Sequence, residues 1–133
     1  MTKNSSLDHA LHNEKVCKYI QKKSDFADWI ITTAFYSALH FVTHKIFPMN
    51  VEHNGKRISI SNFDIYHRQF NPNKLSKHEF RKELVELHCS EISDAFEKLY
   101  SLSYTARYVD YRYGRDISDE ANKNLKKIKD YCS

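Results

Sequence analysis

The sequence predicts an all-α fold, a four- or five-helix up-and-down bundle with a long loop between helices two and three. The first observation is an almost continuously apolar segment that runs from Asp28 to Phe47. The second is that the 133 residues include only two glycines and two prolines. Because both residue types interrupt helices, their scarcity favours long helical elements. We expect a single domain over 1–133, since a chain of this length can bury one substantial core.

The apolar segment is interpreted as the buried central helix. A membrane span needs about 20 predominantly apolar residues, and here it would place Asp28, His40 and Lys45 in hydrocarbon at high cost. Ser24 is expected to cap the start of this helix, and Pro48 marks its end. The segment therefore predicts a core helix and no contact with a membrane.

The other helices are placed by apolar residues at helical spacing and by capping residues. A very short connection makes helices one and two antiparallel neighbours. Ser76, with Glu79 three residues later, forms a capping box that opens helix three. Helices three and four are either continuous or kinked near residues 89–90. The predicted helices run from Leu7 to about Ile20, from Ser24 to Phe47, from Ser76 to about Leu87, from about Glu91 to Ala106, and from Ser118 or Asp119 to Tyr131.

Residues 48–75 form the least regular part of the sequence. Asn54-Gly55 is a hairpin-turn signal, and Val51 could pair with the alternating segment Ile58–Ile60 in two very short strands. A loop of this length in a small domain is more often a flap or a binding segment than a sheet. We interpret it as a basic insertion that carries function.

The charge distribution and the cysteines indicate where positive charge is concentrated and in which cellular compartment the protein is expected. The net charge is +4, but residues 53–82 carry seven Lys or Arg against two Asp or Glu, a local balance of +5. The three cysteines lack any short metal-binding spacing, so reduced thiols in a cytoplasmic protein are expected. No leader segment or glycine-rich phosphate loop is recognisable, and no cofactor is expected.

Tyrosines and arginines near the end of helix four predict a nucleic-acid contact. Tyr100, Tyr104, Tyr108 and Tyr111 follow one another at spacings of four, four and three residues, which places them on one helix face. Aromatic rings with interleaved arginines stack on unpaired bases and hold phosphates. The alternative is that the tyrosines pack in the core or in a dimer interface. The predicted RNA-binding residues are Arg107, Tyr108, Tyr111, Arg112, Arg115 and, from the basic segment, Arg68.

A second pattern predicts a metal-independent ribonuclease. Arg81 and His88 are seven positions apart and lie on one face of helix three. The arginine would stabilise phosphate charge while His88, or alternatively His78, moves a proton. His40 and His44 are four positions apart on the central helix, but no third ligand stands at a characteristic spacing, so no metal site is expected. Of the two functions, binding without catalysis is the preferred interpretation of the sequence.

Two segments resemble the HEPN superfamily, which is named for nucleotide binding in higher eukaryotes and prokaryotes. The first combines Asp28-Trp29 with Phe35-Tyr36-Ser37-Ala38-Leu39-His40. The second is Ser103-Tyr104-Thr105-Ala106-Arg107-Tyr108-Val109-Asp110-Tyr111. The resemblance spans about residues 7–131. It implies a four- or five-helix bundle, frequently a homodimer.

The same resemblance implies two kinds of activity. Superfamily members include RNA-cutting toxins, defence nucleases and inactive partners of minimal nucleotidyltransferases. Active nucleases carry Arg followed by His after four to six residues, near the last long helix. Here no His follows Arg107 in that position, whereas Arg81 and His88 match the spacing earlier in the chain. We therefore expect RNA or nucleotide binding, for which the resemblance implies a defence or toxin–antitoxin setting, with a ribonuclease or a nucleotidyltransferase-partnering module as alternatives.

Overall fold

The computed structural model describes residues 3–22, 26–110 and 114–133, and the protein is mostly helical. The all-α class is confirmed at this level, but these ranges contain six α-helices rather than four or five, together with one two-stranded sheet. In chain order the elements are α1 (Lys3–Gln21), α2 (Ala27–Ile46), β1 (Met49–His53), β2 (Lys56–Ile60), α3 (Phe63–Gln69), α4 (Lys77–His88), α5 (Ser93–Tyr108) and α6 (Arg115–Cys132).

Helix α2 lies at the centre of the main core, as its apolar sequence predicts. It packs against α1, α5 and α6. The Ser37 hydroxyl donates to the Ala10 carbonyl at 2.7 Å, and the Cys17 thiol contacts the Ile30 carbonyl at 3.5 Å. Since residue numbers rise along α1 while their partners' numbers fall along α2, the two helices run antiparallel, in agreement with the predicted short connection.

The prediction of a long loop over residues 48–75 is wrong. It holds the β1–β2 hairpin and the additional helix α3. Asn54 and Gly55 both adopt positive φ, 53° and 74°, which a two-residue hairpin turn requires. Val51 pairs with Ile58 in the antiparallel register. The hairpin gives a weak sequence signal because its strands are mostly exposed and their apolar alternation, Met49 with Val51 and Ile58 with Ile60, covers only two positions in each strand.

A second, smaller core joins this region to α4. Phe63 contacts Phe80 edge-on at 6.0 Å between ring centroids, and Phe47 packs against the same ring of Phe63 at 6.4 Å. Ile60 and Leu84 complete the cluster. The cluster holds α3 and the hairpin against the start of α4, where two of the predicted catalytic residues lie.

Several helix boundaries differ from the predictions, and α1 begins about one turn earlier, at Lys3 rather than Leu7. The start of α2 has Phe26 at the N-cap without a side-chain cap, while Ser24 lies outside the described residues. At α4 the capping prediction is confirmed, because Ser76 Oγ accepts from the Glu79 N–H at 3.2 Å. A 3₁₀ turn over Ser90–Ile92 separates α4 from α5, and α6 begins about one turn earlier than predicted.

Candidate nucleic-acid interface

Three predicted tyrosines form a row along α5. Ring centroids are 6.1 Å apart between Tyr100 and Tyr104 and 5.2 Å apart between Tyr104 and Tyr108. Tyr100 is half-buried against Phe35, but Tyr104 is 47% exposed and Tyr108 is 67% exposed. The core interpretation is therefore wrong for Tyr104 and Tyr108, whose rings face solvent and are open to a ligand or to another protein.

Arg107 lies beside this row and is held in place by α2. Its Nη1 donates to the Tyr36 hydroxyl at 2.9 Å, and its Nε donates to the Ser103 carbonyl at 3.3 Å. The guanidinium carbon is 5.0 Å from the centre of the Tyr108 ring. In the described ranges no carboxylate forms an ion pair with Arg107. Its positive charge and remaining N–H donors are available for an anion. We call Tyr36, Tyr100, Tyr104, Arg107 and Tyr108 the α5 strip.

His78 on α4 meets the inner end of the strip. Its ring stacks on Tyr100, with centroids 3.3 Å apart and an interplanar angle of 10°. His78 Nε2 is 3.4 Å from Glu97 Oε1, but the geometry is not that of a hydrogen bond, so this oxygen has no donor among the described residues. Burial lowers the pKa of His78, with Arg81 and Lys82 adding to the effect, and burial raises the pKa of Glu97. Both shifts favour the neutral form of each group.

Arg81 is not joined to His88. The Arg81 guanidinium lies over the Phe63 ring at 3.9 Å, whereas His88 is the exposed last residue of α4, with its carbonyl 3.4 Å from the Tyr131 hydroxyl. Seven residues of helix separate the two backbones by about 10.5 Å along the axis. On α4, the histidine nearer to Arg81 along the helix is His78, one turn earlier, and the charge of Arg81 acts on it.

The environment of Arg81 is unusual for an arginine. Its Nε is buried and has no hydrogen-bond acceptor within the described part of the chain. Burial lowers the pKa of Arg81 to about 10, an effect that Asp64 partly opposes. Arg81 therefore keeps its charge at neutral pH without an acceptor at this nitrogen.

The other predicted RNA-binding residues lie away from the α5 strip or are not among the residues that the structure describes. Arg68 is exposed on α3 and borders a shallow cleft that it shares with Asp64, His67 and Lys74. No member of the α5 strip lines that cleft. Tyr111 and Arg112 lie outside the described residues. Arg115 begins α6, but its side chain is not described.

The histidines of α2 show no metal site. His40 stacks on His9 with ring centroids 5.0 Å apart. Across residues 3–22, 26–110 and 114–133, no group of three His, Cys, Asp or Glu side chains is placed to hold a metal ion. In the same ranges no helix has the length and apolarity that crossing a bilayer requires. All three cysteines are free and buried.

Sequence reasoning did not assign Tyr36 to the interface, and it named His78 only as a group that moves a proton, not as a contact of Tyr100. Tyr36 supports Arg107 across 71 positions of sequence, and His78 stacks on Tyr100 across 22. Neither pair follows a periodic spacing, because each depends on how separate helices pack. Comparison of the chain with protein-family models, with curated proteins and with solved structures yields no match.

Proposed function

We propose that this protein is a HEPN-like up-and-down helical bundle that binds single-stranded RNA, or a nucleotide-bearing partner, through the α5 strip. The observation that carries the proposal is the exposure of Tyr104 and Tyr108 on α5, where the Arg107 guanidinium lies 5.0 Å from the Tyr108 ring and forms no ion pair with a carboxylate of the described residues. Exposed rings provide stacking surfaces for bases of any sequence, and the arginine adds a donor for a phosphate. The resemblance extends the proposal to a homodimer in a defence or toxin–antitoxin setting, and the free cysteines favour the cytoplasm.

The geometry of the α5 strip supports a role in ligand binding rather than in core packing. Tyr36 fixes the direction of the Arg107 side chain by a hydrogen bond, so less side-chain freedom is lost when an anion binds. The tyrosine rings are tilted by 38° and 55° to one another, so they form no closed stack. A base can therefore stack on an outer ring without first separating a stacked pair.

The test is fluorescence anisotropy with a labelled 12-nucleotide oligouridylate. Loss of one stacking ring costs about 1–3 kcal/mol, so we expect Tyr108→Ala to weaken binding about ten-fold or more. Tyr108→Phe keeps the ring and should bind like the wild type. Arg107→Ala should weaken binding and reduce the salt slope by about 0.7. Val109→Ala, at an exposed neighbouring position, is the matched control.

Unchanged affinity in both Tyr108→Ala and Arg107→Ala would refute the proposal. If the wild type binds no RNA and sediments as a dimer that these changes dissociate, the strip is instead an interface between copies.

A ribonuclease remains the second candidate because Arg81 carries a buried N–H for which the described residues provide no acceptor. A phosphate oxygen is a suitable acceptor for such a donor. The neighbour that could move a proton is His78, whose lowered pKa favours neutral imidazole. If the protein cleaves RNA in EDTA, we expect His78→Ala to abolish cleavage and His88→Ala to retain it. The opposite result would assign the reaction to Arg81 and His88, and absence of cleavage in the wild type would exclude this candidate.

A further inference from the structure

A cluster of exposed aromatic side chains lies where α1 ends and α2 begins. Tyr19 is 67% exposed, Phe26 50% and Trp29 56%. Together with Ile20 they line a shallow cleft of about 390 Å³. Contiguous apolar surface of this kind on a soluble domain usually marks a binding site. We call Tyr19, Ile20, Phe26 and Trp29 the corner cluster.

Two lysines lie close to Tyr19 of the corner cluster. Lys15 shares the α1 face that carries Tyr19, because it precedes Tyr19 by four positions. Lys22 follows Tyr19 by three positions at the end of α1, where its backbone N–H donates to the Tyr19 carbonyl at 3.4 Å. Both lysines are exposed. Aromatic rings next to a basic edge suit the bases and phosphates of a single strand.

The corner cluster continues the α5 strip along α2. Trp29 and Tyr36 are seven positions apart, so they lie on one face of α2, about 10.5 Å apart along the helix axis. Tyr36 accepts the hydrogen bond that positions Arg107. Trp29 therefore lies two helical turns from the residue that positions Arg107, on the same face of α2.

We propose that the corner cluster is a second contact region for a single-stranded nucleic acid bound on the α5 strip, with Trp29 stacking on a base and Lys15 or Lys22 contacting phosphates. This inference rests on the proposed RNA binding. A protein partner explains the corner cluster less well, because lysine is depleted at protein interfaces, whereas a strand of nucleic acid uses both the rings and the lysines.

The test uses Trp29, the single tryptophan of the sequence, as an intrinsic probe. A base stacked on indole quenches its emission, so titration with the 12-nucleotide oligouridylate should quench Trp29 at the concentrations at which anisotropy reports binding. We expect Trp29→Ala to weaken binding about ten-fold and Trp29→Phe to restore most of the affinity. Lys15→Ala should lower the salt slope by about 0.7. Leu87→Ala, an exposed apolar position on α4, is the matched control.

The outcomes separate this inference from the proposed function. RNA binding that depends on Arg107, with unchanged Trp29 emission and full affinity in Trp29→Ala, would overturn the inference and leave the α5 strip intact. No RNA binding by the wild type would overturn both. A blue shift of Trp29 with phosphatidylserine–phosphatidylcholine vesicles, or with an acidic amphipathic peptide, and no response to RNA would assign the corner cluster to that other partner. Far-UV circular dichroism of each variant shows that its helices are retained.

Discussion

His40 makes a quantitative prediction for how stability depends on pH. It lies on α2, half-buried, with its ring stacked on His9. Burial lowers the pKa of His40 from 6.5 to about 4, and the positive charges of His9 and Arg81 add to the effect. In the unfolded chain the imidazole has its ordinary pKa of about 6.5. Between about pH 6.5 and pH 4 the unfolded chain therefore binds a proton that the folded protein excludes.

The difference in the pKa of His40 makes the folded protein less stable at acidic pH. Because the unfolded state binds more protons in this window, the free energy of unfolding falls as the pH falls from about 6.5 to about 4, and His40 adds no further change below that. A full shift of this size corresponds to about 3 kcal/mol. His40 is only partly buried, so solvent screening reduces the expected contribution to about 1–2 kcal/mol.

The assay is urea unfolding followed by circular dichroism at pH 7.5 and pH 4.5. We expect the wild type to lose about 1–2 kcal/mol more than His40→Gln between the two pH values. His12→Gln, at an exposed position of α1, is the control and should behave like the wild type. Equal losses for wild type and His40→Gln would show that His40 takes up its proton in the folded protein, and the reasoning from its burial would be wrong.

Three serines give predictions of stability by urea unfolding. Ser37→Ala removes a buried hydroxyl that donates to the Ala10 carbonyl, and it should lower the free energy of unfolding by about 1 kcal/mol. Ser103→Ala removes an equally buried hydroxyl that has no partner in the described ranges, so it should leave stability unchanged or raise it; a loss comparable to that of Ser37→Ala would reveal a missed hydrogen bond. Ser76→Ala removes the cap that accepts from the Glu79 N–H and should cost about 1 kcal/mol, and an unchanged midpoint would show that the cap is dispensable.

The long helices were predictable because their signals are local. The apolar run of α2 and the capping box at Ser76 depend on residues within a few turns of one another. The hairpin and α3 were interpreted as a loop because their stability comes from elsewhere. Phe63 and Ile60 are buried only where the second core forms against α4, and the short apolar alternation in residues 48–75 does not report that contact.

The candidate site was predictable only in part, for a related reason. The four-residue spacing of Tyr100, Tyr104 and Tyr108 was sufficient to place these rings in one row on α5. Spacing could not decide whether that row faces the core or solvent, since both surfaces of a helix accept tyrosine. The support of Arg107 by Tyr36 depends on the packing of α5 against α2, which has no signature in either segment.

Arg81 shows where an argument from spacing alone is insufficient. Seven positions on a helix return a side chain to the same face, but they also move it about 10.5 Å along the axis. Two groups that must act on one phosphate have to converge within hydrogen-bonding reach of it. His78, three positions from Arg81, meets this condition better than His88, and it also contacts Tyr100 in the α5 strip. Any phosphate chemistry of this protein should therefore be sought where α4 meets α5, next to the rings that we propose bind the bases.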